Sequence, residues 1–160
     1  MRIIALSDTH SQALPPEVAA AIAGADLIVH VGDFCDLSVL EALKASGKPV
    51  KAVYGNMDGM DLRKLLPRQA VFECEGRMIG LIHGEGGGGM VLEKVRERFQ
   101  GEKVDMVIYG HSHEPLRTMI DGVLYLNPGS ATDTLRAPCR SYGVVEIKNG
   151  KIKAEIVRIK

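Results

Sequence analysis

Residues 3–33, IIALSDTHSQALPPEVAAAIAGADLIVHVGD, decide the fold of this chain. A short apolar run at 3–6 is followed by an alanine-rich segment that Pro15-Pro16 opens and Gly24 closes, and then by a second apolar run at 27–31. Short apolar runs that stop at polar residues are typical of buried strands, and proline and glycine mark the two ends of a helix. The stretch therefore predicts a strand, a helix and a second strand parallel to the first.

The same alternation continues before the pattern changes. A helix at 37–46 and a strand at 50–54 complete a β-α-β-α-β opening. A further helix at 90–99 and a strand at 104–109 follow, and three dipeptides typical of hairpin turns lie around them: Glu75-Gly76, Asp121-Gly122 and Asn149-Gly150. The pattern predicts a parallel front half and an antiparallel back half, packed as two sheets with helices outside.

Composition argues against several classes of partner. The 160 residues are 46% apolar and 25% charged, and the 20 Lys and Arg balance the 20 Asp and Glu, so the formal net charge is zero. A balanced chain without a basic stripe is an unsuitable partner for long nucleic acid, so nucleic-acid binding is not expected. The length predicts one domain, residues 1–160.

The sequence also predicts where the protein works. No apolar stretch approaches the ~20 residues that a membrane-spanning helix needs, and the amino terminus lacks the apolar core of a signal peptide. The cysteines are odd in number and far apart, which argues against a disulfide framework: Cys35, Cys74 and Cys139. We expect a cytoplasmic protein with no membrane attachment.

Polar side chains gather where the predicted strands end. Five strand ends carry metal-ligand donors: Asp8 and His10, Asp33, Asn56, His83, and His111 with His113. In α/β sheets ligands collect at the carboxyl ends of strands, so these clusters can converge. Residues i and i+2 of an extended segment point the same way, so each two-residue cluster is expected to send two donors into one pocket. Adjacent glycines leave room for sharp turns.

Each donor has an ordinary explanation by itself. A histidine at a strand end is usually a surface or core residue, and Asn56 or Asp58 can cap a helix. Yet four of the five histidines lie in these clusters, which is hard to attribute to coincidence. The set consists of carboxylate, amide and imidazole donors, which suit Mn, Fe, Ni, Co or Zn. The sequence therefore predicts a metal centre.

The order of the motifs resembles a known family. Asp8-x-His10, Gly32-Asp33, Gly55-Asn56-x-Asp58, His83-Gly84 and Gly110-His111-x-His113 resemble the calcineurin-like metallophosphoesterases. The short length and the segment 126–130, LNPGS, resemble the small single-domain phosphodiesterase branch of that family. The resemblance implies an α/β fold, a four-layer sandwich of two mixed β-sheets flanked by helices.

The resemblance further implies two divalent metal ions, with Mn favoured over Ni, Fe or Zn. One ion would be held by Asp8, His10, Asp33 and His113, and the other by Asp33, Asn56, His83 and His111. Asp33 and a hydroxide would bridge them, and that hydroxide would attack phosphorus in line, with Asp33, Asn56 and His111 as the catalytic residues. The implied protein is a phosphodiesterase acting on a small phosphodiester, and self-association of some family members implies a homodimer or homotetramer.

The same branch includes a retromer subunit that resembles these enzymes and acts as a scaffold. The alternative is therefore a binding module with little or no catalysis. A scaffold can lose ligands without penalty, whereas all seven donors are present here. The complete set favours the enzyme.

Two positions next to Asn56 need interpretation. Many family members carry His where Met57 stands, and that His is thought to protonate the leaving group. Methionine has no acidic proton, so we expect a slow enzyme that favours good leaving groups or uses another acid. Asp58 either orients a neighbour or caps the following helix, and we favour the cap.

Three other features have both a functional and an ordinary interpretation. The segment 84–89 matches the pattern of a dinucleotide-binding turn only because most of its residues are glycine. It either covers the metal site, with its backbone N–H groups directed toward phosphate, or is a surface loop. His30 is either a core residue, which we favour, or orients a ligand. Arg136 and Arg140 are either phosphate contacts or surface charges.

Overall fold

The computed structural model describes residues 1–160, except for the surroundings of Gly88. Ten strands form two sheets. The strands are β1 Arg2–Leu6, β2 Leu27–His30, β3 Val50–Ala52, β4 Gln69–Cys74, β5 Arg77–Ile82, β6 Met106–Ile108, β7 Leu116–Ile120, β8 Val123–Asn127, β9 Ser141–Lys148 and β10 Lys151–Arg158. The helices are α1 Pro16–Ala23, α2 Leu37–Ala45, α3 Met60–Leu65 and α4 Val91–Arg98, the last preceded by a 3-10 turn, Gly88–Met90.

The first sheet has the order β10-β9-β1-β2-β3. Its strands β1, β2 and β3 are parallel, with Ile3 opposite Leu27 and Ile28 opposite Val50. The predicted opening of alternating strands and helices is confirmed. The carboxyl-terminal hairpin joins this sheet because β9 pairs antiparallel with β1.

The second sheet has the order β4-β5-β6-β8-β7. Strands β5, β6 and β8 are parallel, and only the outer strands β4 and β7 run antiparallel to their neighbours. The prediction of an antiparallel back half is therefore confirmed for the hairpins β4–β5, β7–β8 and β9–β10 and wrong for β5, β6 and β8. The reason is that α4 is a crossover connection, which returns the chain to the same edge and makes β6 parallel to β5.

The hydrophobic core lies between the two sheets and under the helices. One cluster joins inward side chains of both sheets, such as Ile3 and Val29 with Leu81 and Ile108. A second lies between the first sheet and the helices α1, α2 and α3, and a third lies under α4. Each fully buried Ile or Leu contributes about 1.5–3 kcal/mol. The arrangement confirms the sandwich of two mixed sheets flanked by helices.

The three predicted hairpin turns form as expected. In each, both central residues have positive φ: Glu75 and Gly76, Asp121 and Gly122, Asn149 and Gly150. Two successive positive φ values are typical of the type I′ turn, whose twist matches that of the flanking strands. Within the part of the chain that the structure describes, none of the helices has the length and apolarity needed to cross a bilayer.

Candidate metal centre

Side chains from four loops converge beyond the carboxyl ends of the parallel strands. The ligand atoms of Asp8, His10 and His113 lie within 4.8 Å of one another, and so do those of Asp8, Asp33 and His83. Asp8 is common to both groups and is fully buried. The assignment of Asp33 as the residue that bridges two ions stays a prediction, because Asp33 belongs to only one of these groups.

The other two predicted ligands meet at the rim of the same cluster. His111 Nδ1 lies 2.9 Å from Asn56 Oδ1, and the His111 ring lies edge-on to the ring of His83 at 5.2 Å. The backbone N–H of His111 donates to Asp8 Oδ2 at 3.0 Å. The structure thus brings together all seven predicted donors, and we call them the metal-ligand cluster.

Each histidine of the cluster is held by one ring nitrogen and turns the other inward. His83 Nδ1 donates to Val31 O at 2.7 Å, and His113 Nδ1 donates to Asp133 Oδ2 at 2.5 Å. His111 Nε2 lies 2.8 Å from Gly86 O. His10 Nδ1 lies 3.2 Å from the thiol of Cys35. An outward hydrogen bond fixes the tautomer and leaves the inward nitrogen as a lone-pair donor, which is the usual arrangement of metal-ligating histidines.

The inward-facing atoms are suited to binding a cation, whereas they repel one another when no cation or proton lies between them. Asp8 Oδ1 and His83 Nε2 are buried and have no hydrogen-bond partner among the residues that the structure describes. His83 Nε2 lies 3.3 Å from Asp33 Oδ2, and His10 Nε2 lies 3.1 Å from His113 Nε2. Unprotonated nitrogens so close to a carboxylate or to each other repel, unless a proton or a metal ion lies between them. Nitrogen and oxygen donors of this kind suit a divalent transition metal.

Electrostatics within the cluster favour charged forms. The carboxylate of Asp8, whose Oδ1 lies 3.4 Å from His113 Nε2, raises the pKa of His113 to about 9, although burial opposes the shift, and Asp133 adds to it. Burial opposes ionisation of Asp8, yet the nearby rings of His113 and His83 and the hydroxyl of Ser7 hold its pKa below the usual value. The carboxylates of Asp8 and Asp33 thus keep their negative charge, as metal ligands must, and a bound cation would displace the extra proton of His113.

The backbone of the cluster is unusual. Five of the seven donors have positive φ: Asp8, His10, Asp33, His111 and His113. The expected extended segments are therefore wrong at both two-residue clusters, although their donors do converge. Left-handed backbone is costly for residues other than glycine and persists only where surrounding contacts impose it, as at functional sites.

Asp58 supplies such contacts. Its Oδ2 accepts from the backbone N–H groups of Asp33 (3.0 Å) and Gly55 (2.7 Å), and its Oδ1 accepts from that of Cys35 (2.7 Å). The helix α3 begins at Met60 with Gly59 at the cap position and no side-chain cap. The preferred interpretation of Asp58 as a helix cap is wrong: the buried carboxylate ties together two ligand loops.

The loop after β8 supports the cluster from the other side. Asp133 holds His113, Ser130 Oγ donates to Asp8 O at 2.7 Å, and Thr132 Oγ1 donates to Thr9 O at 3.0 Å. Burial opposes ionisation of Asp133, but the backbone N–H groups of Arg136 and Leu135, together with His113, lower its pKa to about 2. Sequence reasoning missed Asp133 and Thr132, because no local pattern marks them, and used Ser130 only as part of the segment 126–130 that carries the family resemblance.

His30 is a core residue, in agreement with the interpretation favoured from the sequence. It is fully buried and stacks on Phe34 at 3.6 Å. Its Nδ1 accepts from Gly32 N at 3.2 Å, and its Nε2 lies 3.1 Å from Thr9 Oγ1, so the ring links the loops of β1 and β2. Burial lowers its pKa to about 3.

The residues around the opening of the metal-ligand cluster bear on the remaining predictions from the sequence. Met57, Arg136 and Leu135 line a cleft with the ligands, and Met57 is 58% exposed. Arg140 instead donates to Lys160 O, away from the cleft, so a phosphate contact by Arg140 has no support. The glycine-rich segment does reach the site, and in its described part the contact is made by the carbonyl of Gly86.

Two glycines are required by close approach. A Cβ at Gly55 would overlap the carboxylate of Asp33, and a Cβ at Gly110 would overlap Ser7 Oγ. Cys35 lies in neither ligand group, and its thiol contacts the outward Nδ1 of His10. Burial and the nearby carboxylates raise the pKa of this thiol to about 11.

Comparisons with known proteins agree with this geometry. Residues 1–150 match the model of the calcineurin-like phosphoesterase superfamily domain. The probable metallophosphoesterase MJ0623 of Methanocaldococcus jannaschii is 35% identical over 99% of this chain and 82% of that protein. Phosphodiesterase MJ0936 of the same organism is 28% identical over 81% and 83%. The structure of Vacuolar Protein Sorting 29 from Cryptosporidium parvum superposes with a TM-score of 0.76 at 20% identity, covering 99% and 97%, which shows a shared fold alone.

Proposed function

The chain belongs to the calcineurin-like phosphoesterase superfamily, and on this premise we propose that it is a metal-dependent phosphodiesterase of small substrates. The observation that carries the proposal is the inward set of unpartnered donors, headed by Asp8 Oδ1 and His83 Nε2. A relative named as a phosphodiesterase supports the choice of diesters over monoesters. We propose two divalent ions, with Mn favoured, held by the metal-ligand cluster.

Two bound cations would lower the pKa of water and neutralise charge on the phosphoryl oxygens. The protein's own residues orient the metal ligands. Asp133, Val31 O and Gly86 O fix three of the histidines, and Asp58 fixes the loop of Asp33. Asn56 and His111, at the rim, would contact the phosphoryl group. Water would add to phosphorus in line, the bond to the leaving oxygen would break, and that oxygen would take up a proton, giving a phosphomonoester and an alcohol.

The first test is hydrolysis of bis(4-nitrophenyl) phosphate after metal removal and addition of Mn²⁺. We expect turnover that depends on metal and falls to background in Asp33→Ala. Asp61→Ala is the matched control, because Asp61 is an exposed carboxylate on the nearby helix α3. Absence of turnover with Mn²⁺, Ni²⁺, Fe²⁺ and Zn²⁺ alike would contradict the proposal.

Met57 gives a second test of the same function. Its backbone N–H donates to Asp33 Oδ1 at 2.8 Å, and its side chain lines the cleft where a leaving group would depart. A positioned acid contributes roughly 10²–10⁴-fold. We expect Met57→His to raise the rate for alkyl diesters by up to about 10²-fold and for aryl diesters far less. Equal rates before and after the change on both substrate types would show that an acid is not missing.

The scaffold alternative predicts a different outcome. A protein with the same fold bears the name of a sorting protein rather than an enzyme. A scaffold has no need for buried donors without partners, since each costs free energy in the absence of a ligand. A cluster that binds metal tightly but hydrolyses none of the diesters would favour the scaffold.

A further inference from the structure

A second concavity adjoins the metal-ligand cluster. Its volume is about 290 Å³, and Asn56 and His83 form a wall that it shares with the cluster. Apolar residues, Ile82 and Val95, contribute to its lining. Its charged lining consists of four basic side chains and one carboxylate: Arg63, Arg68, Lys94, Arg98 and Glu85. We call this concavity the cationic pocket.

The charges of the cationic pocket do not cancel. Glu85 accepts from Arg68 Nη2 at 3.0 Å and from Arg98 Nη2 at 2.9 Å, and the hydrogen bond from Arg98 lowers the pKa of Glu85. Four cations face one anion, which leaves three positive charges in a chain whose net charge is zero. A concentration of one sign in a concave wall attracts a ligand of the opposite sign.

Lys94 is the cation with the most capacity to bind a ligand. Among the described residues, its ammonium has neither a hydrogen bond nor an ion pair, although the residue is half-buried. A Cβ placed on Gly86 would lie 3.2 Å from Lys94 Nζ, and the carbonyl of the same glycine is bound by His111 Nε2. An unpaired cation therefore lies beside the loop that touches a metal ligand.

The neighbouring arginines differ in the hydrogen bonds that they form. Arg63 donates to Asp58 O at 2.7 Å and to Asn56 O at 3.1 Å, so it holds the turn that carries Asn56. Arg68 and Arg98 each use one nitrogen on Glu85, and a guanidinium has five N–H donors in total. Both retain donors for a phosphate, which Lys and Arg recognise through charge-assisted hydrogen bonds.

We propose that the cationic pocket binds a second phosphate group of the substrate. The enzyme would then act on small diesters in which one ester arm ends in a phosphate, with the scissile phosphorus at the metal-ligand cluster and the terminal phosphate near Lys94. This inference rests on the proposed phosphodiesterase function. A volume at the lower end of the range for ligand pockets fits a short arm.

The test compares two substrates that differ only in the terminal group. They are 4-nitrophenyl 3-phosphonooxypropyl phosphate and 4-nitrophenyl 3-methoxypropyl phosphate. We expect kcat/KM to be roughly tenfold higher for the phosphorylated substrate, and the ratio to fall as salt screens the exposed charges. Lys94→Met and Arg98→Met should bring the ratio close to one. Arg96→Met is the matched control on the same helix, because Arg96 pairs with Asp121 outside the pocket, and it should keep the ratio.

Calorimetry separates failure of the pocket from failure of the enzyme. Propane-1,3-diol bisphosphate and 3-methoxypropyl phosphate are titrated into the Mn²⁺-loaded protein and into Lys94→Met. Tighter binding of the bisphosphate that is lost in Lys94→Met supports the pocket even if neither diester is hydrolysed, in which case the phosphodiesterase proposal alone fails. Hydrolysis of both diesters with a ratio near one, or a ratio unchanged by Lys94→Met and Arg98→Met, would overturn the pocket.

Discussion

The metal-ligand cluster and the cationic pocket share Asn56 and His83, but the chain builds the two regions in opposite ways. In the cluster, buried polar groups hold left-handed loops in place, as Asp58 and Asp133 do. In the pocket, the side chains of Arg68, Arg98 and Glu85 are about half exposed and form ion pairs at Glu85. Buried groups without water depend on every partner, whereas exposed ion pairs are screened and contribute little.

The difference separates two tasks. A metal centre needs donors whose geometry is set before the ligand arrives, so the fold commits buried hydrogen bonds to it. A pocket that selects among substrates can change its charged residues with little effect on folding. Substitutions in the cluster should therefore change stability and metal binding, and substitutions in the pocket should change substrate preference.

The largest expected effect is that of Asp58→Ala. The change leaves the N–H groups of Asp33, Cys35 and Gly55 without their acceptor, and each unsatisfied buried group costs about 1–3 kcal/mol. We expect the free energy of unfolding to fall by about 3 kcal/mol or more in urea denaturation. Asp61→Ala, an exposed position on α3, should cost only a few tenths of a kcal/mol, and equal losses in the two variants would remove the distinction.

Asp133→Asn should weaken metal binding more than stability. The amide keeps the size of the side chain but removes the charge that the ring of His113 meets. Loss of an outer partner of a ligating histidine typically costs 10–100-fold in metal affinity. Titration of the metal-free protein with Mn²⁺ by calorimetry measures the change, and an unaltered affinity would show that the orientation of His113 is set elsewhere.

The free energy of unfolding should depend on pH in a way that reflects the lowered pKa of His30 in the folded protein. Its pKa is about 3 in the folded protein and about 6.5 in the unfolded chain, so the unfolded state binds the extra proton between these values. The contribution of the neutral, buried His30 ring to the free energy of unfolding is fully present above pH 6.5. It is lost as pH falls toward 3, by up to about 1.4 kcal/mol per pH unit.

Urea denaturation at pH 7 and pH 5, with chelator present, compares the wild type with His30→Gln. The variant should lose less stability between the two pH values, because glutamine does not take up a proton in the unfolded chain. Identical losses would mean that carboxylates alone account for the acid sensitivity.

The smallest expected effect on stability is that of Glu85→Gln. The carboxylate forms only exposed pairs with Arg68 and Arg98, so its loss should change the free energy of unfolding by less than about 1 kcal/mol. It should at the same time free both guanidinium groups and tighten binding of propane-1,3-diol bisphosphate in calorimetry. A large loss of stability would show that the pocket is built like the cluster after all.

Much of this molecule could be predicted from its sequence. The β-α-β-α-β opening, the three hairpin turns and the seven donors were all marked by neighbouring residues: apolar runs, helix-ending glycines, Asx-Gly or Glu-Gly pairs, and polar residues directly after strands. Such signals are local, because strand, helix and turn preferences depend on a few adjacent residues. The resemblance to a family added the sandwich of two sheets.

Only the tertiary structure decided the rest. The carboxyl-terminal hairpin joins the first sheet through β9, and α4 makes β6 parallel to β5. Asp58 binds two ligand loops instead of capping α3, and Asp133 holds His113 from twenty residues away. Lys94 comes to lie beside Gly86, whose carbonyl contacts the ring of His111. These outcomes depend on contacts between distant segments, and the left-handed backbone of the donors is stable only because such contacts outweigh the local preference for extended or helical conformations.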